Sequence, residues 1–395
     1  MLNPEIKKFI ARNAKRSPEE LALMAGRYPD LPMPFIAQQV KGRMRSRSKL
    51  PSWHGNEDVV FPKSLALEQC TSEAVARFRS TLLGTGKAAF DVTGGYGVDA
   101  RFLAEKFEHY FYNERDAELA EISASNFEVF CLGDKVSVNN GDGIEALRKH
   151  EGELDLIFVD PARRDDRSLR VSALEGCEPN ILEVWDFLLS RSERVAVKTS
   201  PGLDVSSVLA DLAGVEAVHV ISIENDCKEL FVIARKGFAG EARIHCVNIR
   251  KGGSVDQLDF CLSDEKEASG DFAAPGKYLL EPNASIMKAG GFKAVSKKWN
   301  LKALNPRTRL YGCDEPPTDF QGRVFEVVDD VPIGGKEIKK LFPKKKANVI
   351  SRNSGMTAEE LRKKLGLKEG GERFAIGAAV TGIGRRLYVC KLVRN

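Results

Sequence analysis

At 395 residues, with 43% hydrophobic and 29% charged side chains, the chain has room for two or three cored domains and is too apolar for a disordered protein. No apolar run approaches the roughly 18 residues of a membrane span, and the start Met1–Lys8 lacks the apolar core of a secretory signal, so a cytoplasmic location is expected. A net charge of +4 means that attraction to a polyanion must come from where the charges lie, and the eight cysteines, with no Cys-x-x-Cys pair, suggest neither a disulfide framework nor a metal site.

Residues 1–80 read as helices with short breaks, a small helical cap. Glu5–Ile10 and Pro18–Met24 space apolar residues helically, and Ser17-Pro18-Glu19-Glu20 supplies an N-cap, a proline and first-turn acids. From Lys41 to Lys49 a basic residue stands at nearly every second position, with Trp53 and His54 close behind. Such a strip is either a solvated helix face or a phosphate-binding surface; on the second reading Arg43, Arg45 and Arg47 contact a nucleic-acid backbone. A third helix is expected from Leu67 through Val75 to Leu83.

The stretch Ala-Phe-Asp-Val-Thr-Gly-Gly-Tyr-Gly-Val-Asp at 89–99 is a strand, a tight turn and a helix start. Its glycines, Gly94, Gly95 and Gly97, let the backbone approach a ligand, and the new helix offers N–H groups there. Apolar strands then alternate with helical stretches, the pattern of an open α/β sheet. Strands are expected at 88–92, 109–113, 135–139, 154–159, 194–199, 217–224 and 229–235, the last two as an edge hairpin joined by Asn225–Lys228. Ligands of such sheets lie outside the carboxyl ends of the strands. There, in strand order, stand Asp91, Glu114, Asp142 and Asp160. Glu114 suits both hydroxyls of a ribose, and Asp142 an adenine amine, with Ile144 against the ring.

With those four stations, residues 87–236 resemble the class I S-adenosylmethionine-dependent methyltransferases. The resemblance implies a seven-stranded Rossmann-like α/β sheet and the cofactor S-adenosylmethionine. It assigns the turn Asp91–Gly97, with Asp91, Thr93, Gly94, Gly95 and Gly97, to the methionine part, Glu114 to the ribose, Asp142 to the adenine and Asp160 with Pro161 to the catalytic strand end, and it counts Asp99, Arg115, Gly143 and Asp160 among the cofactor contacts. A nicotinamide-binding fold also places an acid after the second strand. Gly95-Tyr96-Gly97-Val98-Asp99-Ala100 does not complete its Gly-x-Gly-x-x-Gly, and Asp142 and Asp160 would then have no task.

Methyl transfer from a sulfonium is an in-line displacement on an activated carbon, so positioning supplies most of the catalysis and no metal is needed. Val159-Asp160-Pro161-Ala162-Arg163 looks like the Asp/Asn-Pro-Pro-aromatic loop of amino methyltransferases acting on nucleic-acid bases. That likeness implies Asp160, Pro161 and Arg163 as catalytic, with the guanidinium of Arg163 in the stacking position of the ring. Asp-Pro-x-Arg is also similar to RNA uridine C5-methyltransferases, but Lys198-Thr199-Ser200-Pro201-Gly202 holds no cysteine nucleophile after the fifth strand. Arg163, Arg164 and Arg167 are either phosphate contacts or partners of Asp165 and Asp166, and Lys198 either meets a phosphate or pairs with Asp160.

After Lys236 the pattern changes. Arg243–Ile249 reads as a strand and Tyr278–Lys288 as a strand turning into a helix; from Gly322 onward short strands alternate with helices at 335–342 and 357–365, with basic residues concentrated from Lys336 to Lys368. The stretches 347–353 and 361–371 resemble the THUMP-like domain found behind methyltransferase domains in uncharacterised bacterial proteins. By that resemblance the C-terminal third is a small α+β region, ferredoxin-like then THUMP-like, and the domains are 1–80, 81–238, 239–320 and 321–395. True THUMP domains bind RNA, so the expected partner is tRNA or rRNA, with Lys345, Arg352 and Lys363 among its contacts. Methylation of a protein or small molecule, and RNA binding without catalysis, stay open.

Overall fold

The structure, a computed structural model, describes residues 2–163, 174–267, 272–334 and 338–394. It divides into two compact units, Met1–Leu203 with Ser207–Glu216 and Phe231–Gly240, and Asp204–Ser206 with Ala217–Leu230 and Glu241–Asn395.

The first unit opens with six helices: α1 (Pro4–Asn13), α2 (Pro18–Leu23), α3 (Met33–Lys49), α4 (Pro51–His54), α5 (Ser64–Gln69) and α6 (Glu73–Leu82). Ser17 and Glu20 close the capping box at the start of α2. The single helix expected from Leu67 to Leu83 is two, because Cys70 and Ser72 are extended and Thr71 is held by the Arg79 guanidinium, 2.6 Å from its hydroxyl. Five parallel strands follow, β1 (Gly86–Asp91), β2 (Phe107–Glu114), β3 (Val136–Asn140), β4 (Leu154–Val159) and β5 (Ser192–Thr199). Their order is β3-β2-β1-β4-β5. The uninterrupted apolar run of β4 is what a parallel strand covered on both faces requires: Leu156 to Val159 are each at most 1% exposed. Between strands run α7 (Val98–Leu103), α8 (Ala117–Val129), α9 (Gly143–Lys149) and α10 (Ile181–Arg191). The early helices do not stand apart from the glycine turn. Leu50, Trp53, Phe61 and Ala76 pack with Tyr96, Val98 and Phe102 in one cluster, and the Tyr96 hydroxyl donates to the Val60 carbonyl at 2.9 Å.

The chain passes from one unit to the other within β6 (Val215–Ile223) and β7 (Asp226–Arg235). The turn between them is two residues, not the expected four: Glu224 and Asn225 both take positive φ, 47° and 67°, the geometry that matches strand twist in a tight hairpin. Nor does β6 end the sheet. β8 (Arg243–Ile249) pairs parallel to it, and β9 (Val255–Cys261) pairs antiparallel to β8. The larger sheet therefore has nine strands among the described residues instead of seven. β9 alternates, with Leu258 and Phe260 buried between polar neighbours.

The second unit adds a mixed sheet from β10 (Tyr278–Pro282), β11 (Lys302–Ala303), β12 (Tyr311–Cys313), β13 (Gly322–Pro332), β14 (Asn348–Arg352), β15 (Arg373–Val380) and β16 (Gly384–Arg394), ordered β11-β12-β10-β13-β16-β15-β14. All neighbours are antiparallel except β14 and β15. Leu279, Phe325, Ile376 and Tyr388 form one side of its core, and Leu361, Ala375, Leu387 and Val389 the other, under the helix Ala358–Leu365.

Candidate active site

The site is built at the carboxyl ends of β1 to β4. Asp91 closes β1 with 1% of its surface exposed. Its Oδ1 accepts the Thr93 N–H at 3.0 Å and its Oδ2 the Tyr110 hydroxyl at 3.0 Å. Burial pushes its carboxyl up to about 8, against the lowering effect of those two donors, so it is mostly protonated at neutral pH. Beyond it the chain turns through Gly95 and Gly97, at φ of 62° and 73°. At Gly94 a Cβ would overlap the Tyr112 ring, so that residue must be glycine for the turn to lie on β2. At Gly95, by contrast, a Cβ would meet nothing nearer than the Thr93 carbonyl at 4.0 Å, which leaves open space in front of the turn.

Glu114 ends β2 as a fixed acceptor. Oε2 takes the Gly95 N–H and Oε1 the Asp116 N–H, each at 2.8 Å. Behind it Asn113, 2% exposed, donates to the Asp91 carbonyl at 2.8 Å and is itself held by Asn139 at 2.9 Å. After β3, Asp142 caps α9, its Oδ1 accepting the Ile144 and Glu145 N–H groups at 2.8 and 3.0 Å, while Oδ2 pairs with Arg115, which also reaches Glu178. Partial burial would raise this carboxyl, but the Glu145 amide and the Arg115 guanidinium outweigh it and hold it below the usual range. Gly143 is needed there because a Cβ would overlap the Val92 carbonyl. After β4, the Asp160 N–H donates to the Thr93 hydroxyl at 2.6 Å, and Lys198 from β5 donates to Asp160 Oδ2 at 2.6 Å.

Asp91, Thr93, Gly94, Gly95, Glu114, Arg115, Asp142, Gly143, Asp160 and Lys198 are thus joined by direct contacts at one set of strand ends. Gly97 begins α7 against Phe127. Asp99 is engaged elsewhere, in an ion pair at 2.5 Å with buried Arg79. Pro161 is buried; Arg163 is described by its backbone, in a short strand with Ala162 that pairs antiparallel to Cys177–Glu178. Arg164 lies outside the described residues, with Asp165, Asp166 and Arg167.

The basic strip does not form one surface. On α3, residues two apart point to nearly opposite sides, so alternation divides the charges. Arg43 turns inward, donating to the Asn56, Glu57 and Val59 carbonyls over the Phe61 ring, which removes it as a phosphate contact. Arg45 pairs with Glu68, and Arg47 is exposed. In the second unit Lys345 is exposed in a turn at φ 49°, Lys363 pairs with Glu359 at 3.0 Å, and Arg352 pairs with buried Glu281 at 2.7 Å. Tyr110, Tyr112 and Asn113 support the row from within β2, Tyr110 and Asn113 on Asp91 and Tyr112 on the Gly95 carbonyl. Their signal was present: a polar Asn and two tyrosines in the strand that ends at Glu114. Among the described residues no group of three or more His, Cys, Asp or Glu is arranged to hold a metal, and no helix is long and apolar enough to cross a membrane.

Comparison with known proteins agrees with this architecture. A ferredoxin-like domain model matches residues 278–320 and a THUMP domain-like model matches 322–392. Two curated relatives, both described as uncharacterised S-adenosylmethionine-dependent methyltransferases, come from Mycobacterium tuberculosis strains CDC 1551 / Oshkosh and ATCC 25618 / H37Rv; each is 23% identical over 368 residues, covering 91% of this chain and 97% of the relative. A crystal structure of a candidate methyltransferase from Porphyromonas gingivalis W83 is 28% identical, with a TM-score of 0.86 over 99% of this chain and 98% of that one. Fold and site define a class I methyltransferase. More specifically, the chain is an S-adenosylmethionine-dependent methyltransferase with a ferredoxin-like segment and a C-terminal THUMP-like domain.

Proposed function

We propose that the strand-end row grips S-adenosylmethionine and that the enzyme methylates a base nitrogen of RNA, tRNA or rRNA. The observation that carries the cofactor placement is the set of contacts that crosses the strand ends in sheet order, Arg115 to Asp142, Gly95 to Glu114, Thr93 to Asp91 and Asp160 to Thr93, fronted by the open side of Gly95. Glu114 would take the ribose hydroxyls on the remaining lone pairs of a carboxylate already oriented by two amides. Asp142 would take the adenine amine once Arg115 swings aside. When bound, S-adenosylmethionine supplies a methyl group on a positively charged sulfur.

For the substrate, Asp160 and the Pro161 carbonyl would receive the N–H groups of an exocyclic amine and hold its nitrogen toward the methyl donor. Lys198 fixes Asp160 by occupying Oδ2, which leaves Oδ1 for the amine. RNA is supported by the THUMP domain-like match at 322–392 and by the exposed Lys344, Lys345 and Lys346 beside β14. We read 1–80 as a helical cap, 81–238 as catalytic, and the segments from 239 and from 321 as the substrate-holding part. The test is incubation with labelled S-adenosylmethionine and total bacterial RNA. Labelling by the wild type and its loss in Asp160→Ala is expected; equal labelling by both removes Asp160 from the mechanism, and no labelled RNA overturns the substrate class.

A further inference from the structure

In the second unit a cavity of about 390 Å³ is lined by Asn225, Glu281, Met287, Lys288, Arg323 and Arg352. Glu281 is 2% exposed and holds a guanidinium on each oxygen. Arg323 donates through Nε to Oε2 at 2.7 Å, and Arg352 through Nε and its terminal nitrogen to Oε1 at 2.9 and 2.7 Å. Lys288 has no carboxylate partner among the described residues. Three cationic side chains thus stand beside the one carboxylate of the lining. A guanidinium carries five N–H donors, more than Glu281 and the Ser351 carbonyl consume, so both arginines keep donors to spare. Asn225 adds another, because the Ala284 N–H occupies its Oδ1 at 2.6 Å and leaves its amide NH₂ for a guest.

We propose that this cavity seats a phosphate of the nucleic-acid substrate. Two arginines pinned by a buried carboxylate have already lost the rotamer freedom that binding would otherwise cost, and their planar donors match phosphate oxygens in pairs. The lining residues come from both matched segments, Glu281 and Lys288 from the ferredoxin-like one, Arg323 and Arg352 from the THUMP-like one. The inference rests on the RNA reading above.

The test titrates a fluorescein-labelled single-stranded RNA into the full chain by anisotropy at several salt concentrations, and inorganic phosphate by calorimetry. The variants are Lys288→Gln, the double Glu281→Gln/Arg323→Gln, which avoids an unmatched buried charge, and Lys251→Gln, an exposed lysine outside the lining. Each cavity variant should weaken RNA binding about tenfold, the scale of one charge-assisted hydrogen bond. Lys288→Gln should also lower the log–log salt slope by about 0.7, and Lys251→Gln should leave affinity unchanged. Wild-type affinity and slope in Lys288→Gln overturn the cavity and leave the RNA reading standing. Inorganic phosphate bound in a Lys288-dependent way by a chain that ignores RNA keeps the anion site but overturns its nucleic-acid source. Binding of neither overturns both.

Discussion

Replacing Glu114 by alanine removes the proposed acceptor for two ribose hydroxyls and, at the same time, the acceptor of the Gly95 and Asp116 N–H groups, each at 2.8 Å. A hydrogen bond to a charged acceptor contributes about 1.5 to 3 kcal/mol. Glu114 is only partly buried, so the lower figure applies, and two such bonds give about 3 kcal/mol, on the order of a hundredfold in Kd. Loosening of the glycine turn adds a loss that has nothing to do with ribose. Calorimetry separates the two with S-adenosylhomocysteine and its 2′- and 3′-deoxy analogues as the second arm of a double-mutant cycle. The wild type should discriminate against each deoxy ligand, and Glu114→Ala should not. If the variant still prefers the intact ribose by the wild-type margin, Glu114 does not hold the sugar and the register of the whole row is wrong.

Gly94→Ala drives a methyl group into the fully buried Tyr112 ring; overpacking of this kind costs about 1 to 3 kcal/mol, so the melting temperature should fall, and Tyr112→Leu should restore part of it. An unchanged melting temperature would contradict the close packing of turn on strand. Asp91, pushed up to about 8, binds a proton in the folded state that the unfolded chain releases near the ordinary value of about 4. Its stabilising contribution is whole below about pH 4 and lost as pH rises through about 8, so urea unfolding should show wild-type stability falling against Asp91→Asn by about 1.4 kcal/mol per pH unit between pH 5 and 7. A pH-independent difference would show that the carboxyl is ionised when folded. Lys198→Met should lower kcat/KM for methyl transfer about tenfold while Lys198→Arg recovers most of it, a modest effect because Lys198 and Asp160 keep 18% and 31% of their side chains exposed. Equal rates in all three would reduce the pair to a surface contact.

The row of acids was legible because strand ends are fixed by the alternation of apolar runs and helices, and the residue after a run is easy to find. What the row rests on was less legible. Asn113 and Tyr110 act through the third dimension, on a neighbouring strand, and one chain read alone shows no such pairing. The basic strip was misleading for a related reason: period two suggests one face only on a strand, and α3 carries it around a helix. The hairpin turn came out two residues short of expectation because positive φ at Glu224 is not announced by a glycine. β8 and β9 extend a sheet that the seven-strand pattern would have closed, since nothing in Arg243–Ile249 says which neighbour it seeks.

The four acids differ most in how they are held. Asp91 is fixed by the Thr93 amide, Glu114 by those of Gly95 and Asp116, and Asp142 by those of Ile144 and Glu145. Backbone amides cannot withdraw without unmaking the turn or helix that presents them, so these three positions are rigid. Asp160 is different: its carboxylate is held by an ammonium on a four-carbon stem, and the backbone contact at that residue is its own N–H, given to Thr93. A rigid triad suits a ligand that is the same at every turnover, since its orientation is settled before binding. An acid whose partner sits on a flexible stem suits the group that changes from one substrate to the next, because Lys198 can follow Asp160 as Oδ1 receives an amine. The proposed division of labour along the row, cofactor at β1 to β3 and acceptor at β4, matches this difference in hydrogen-bond partners.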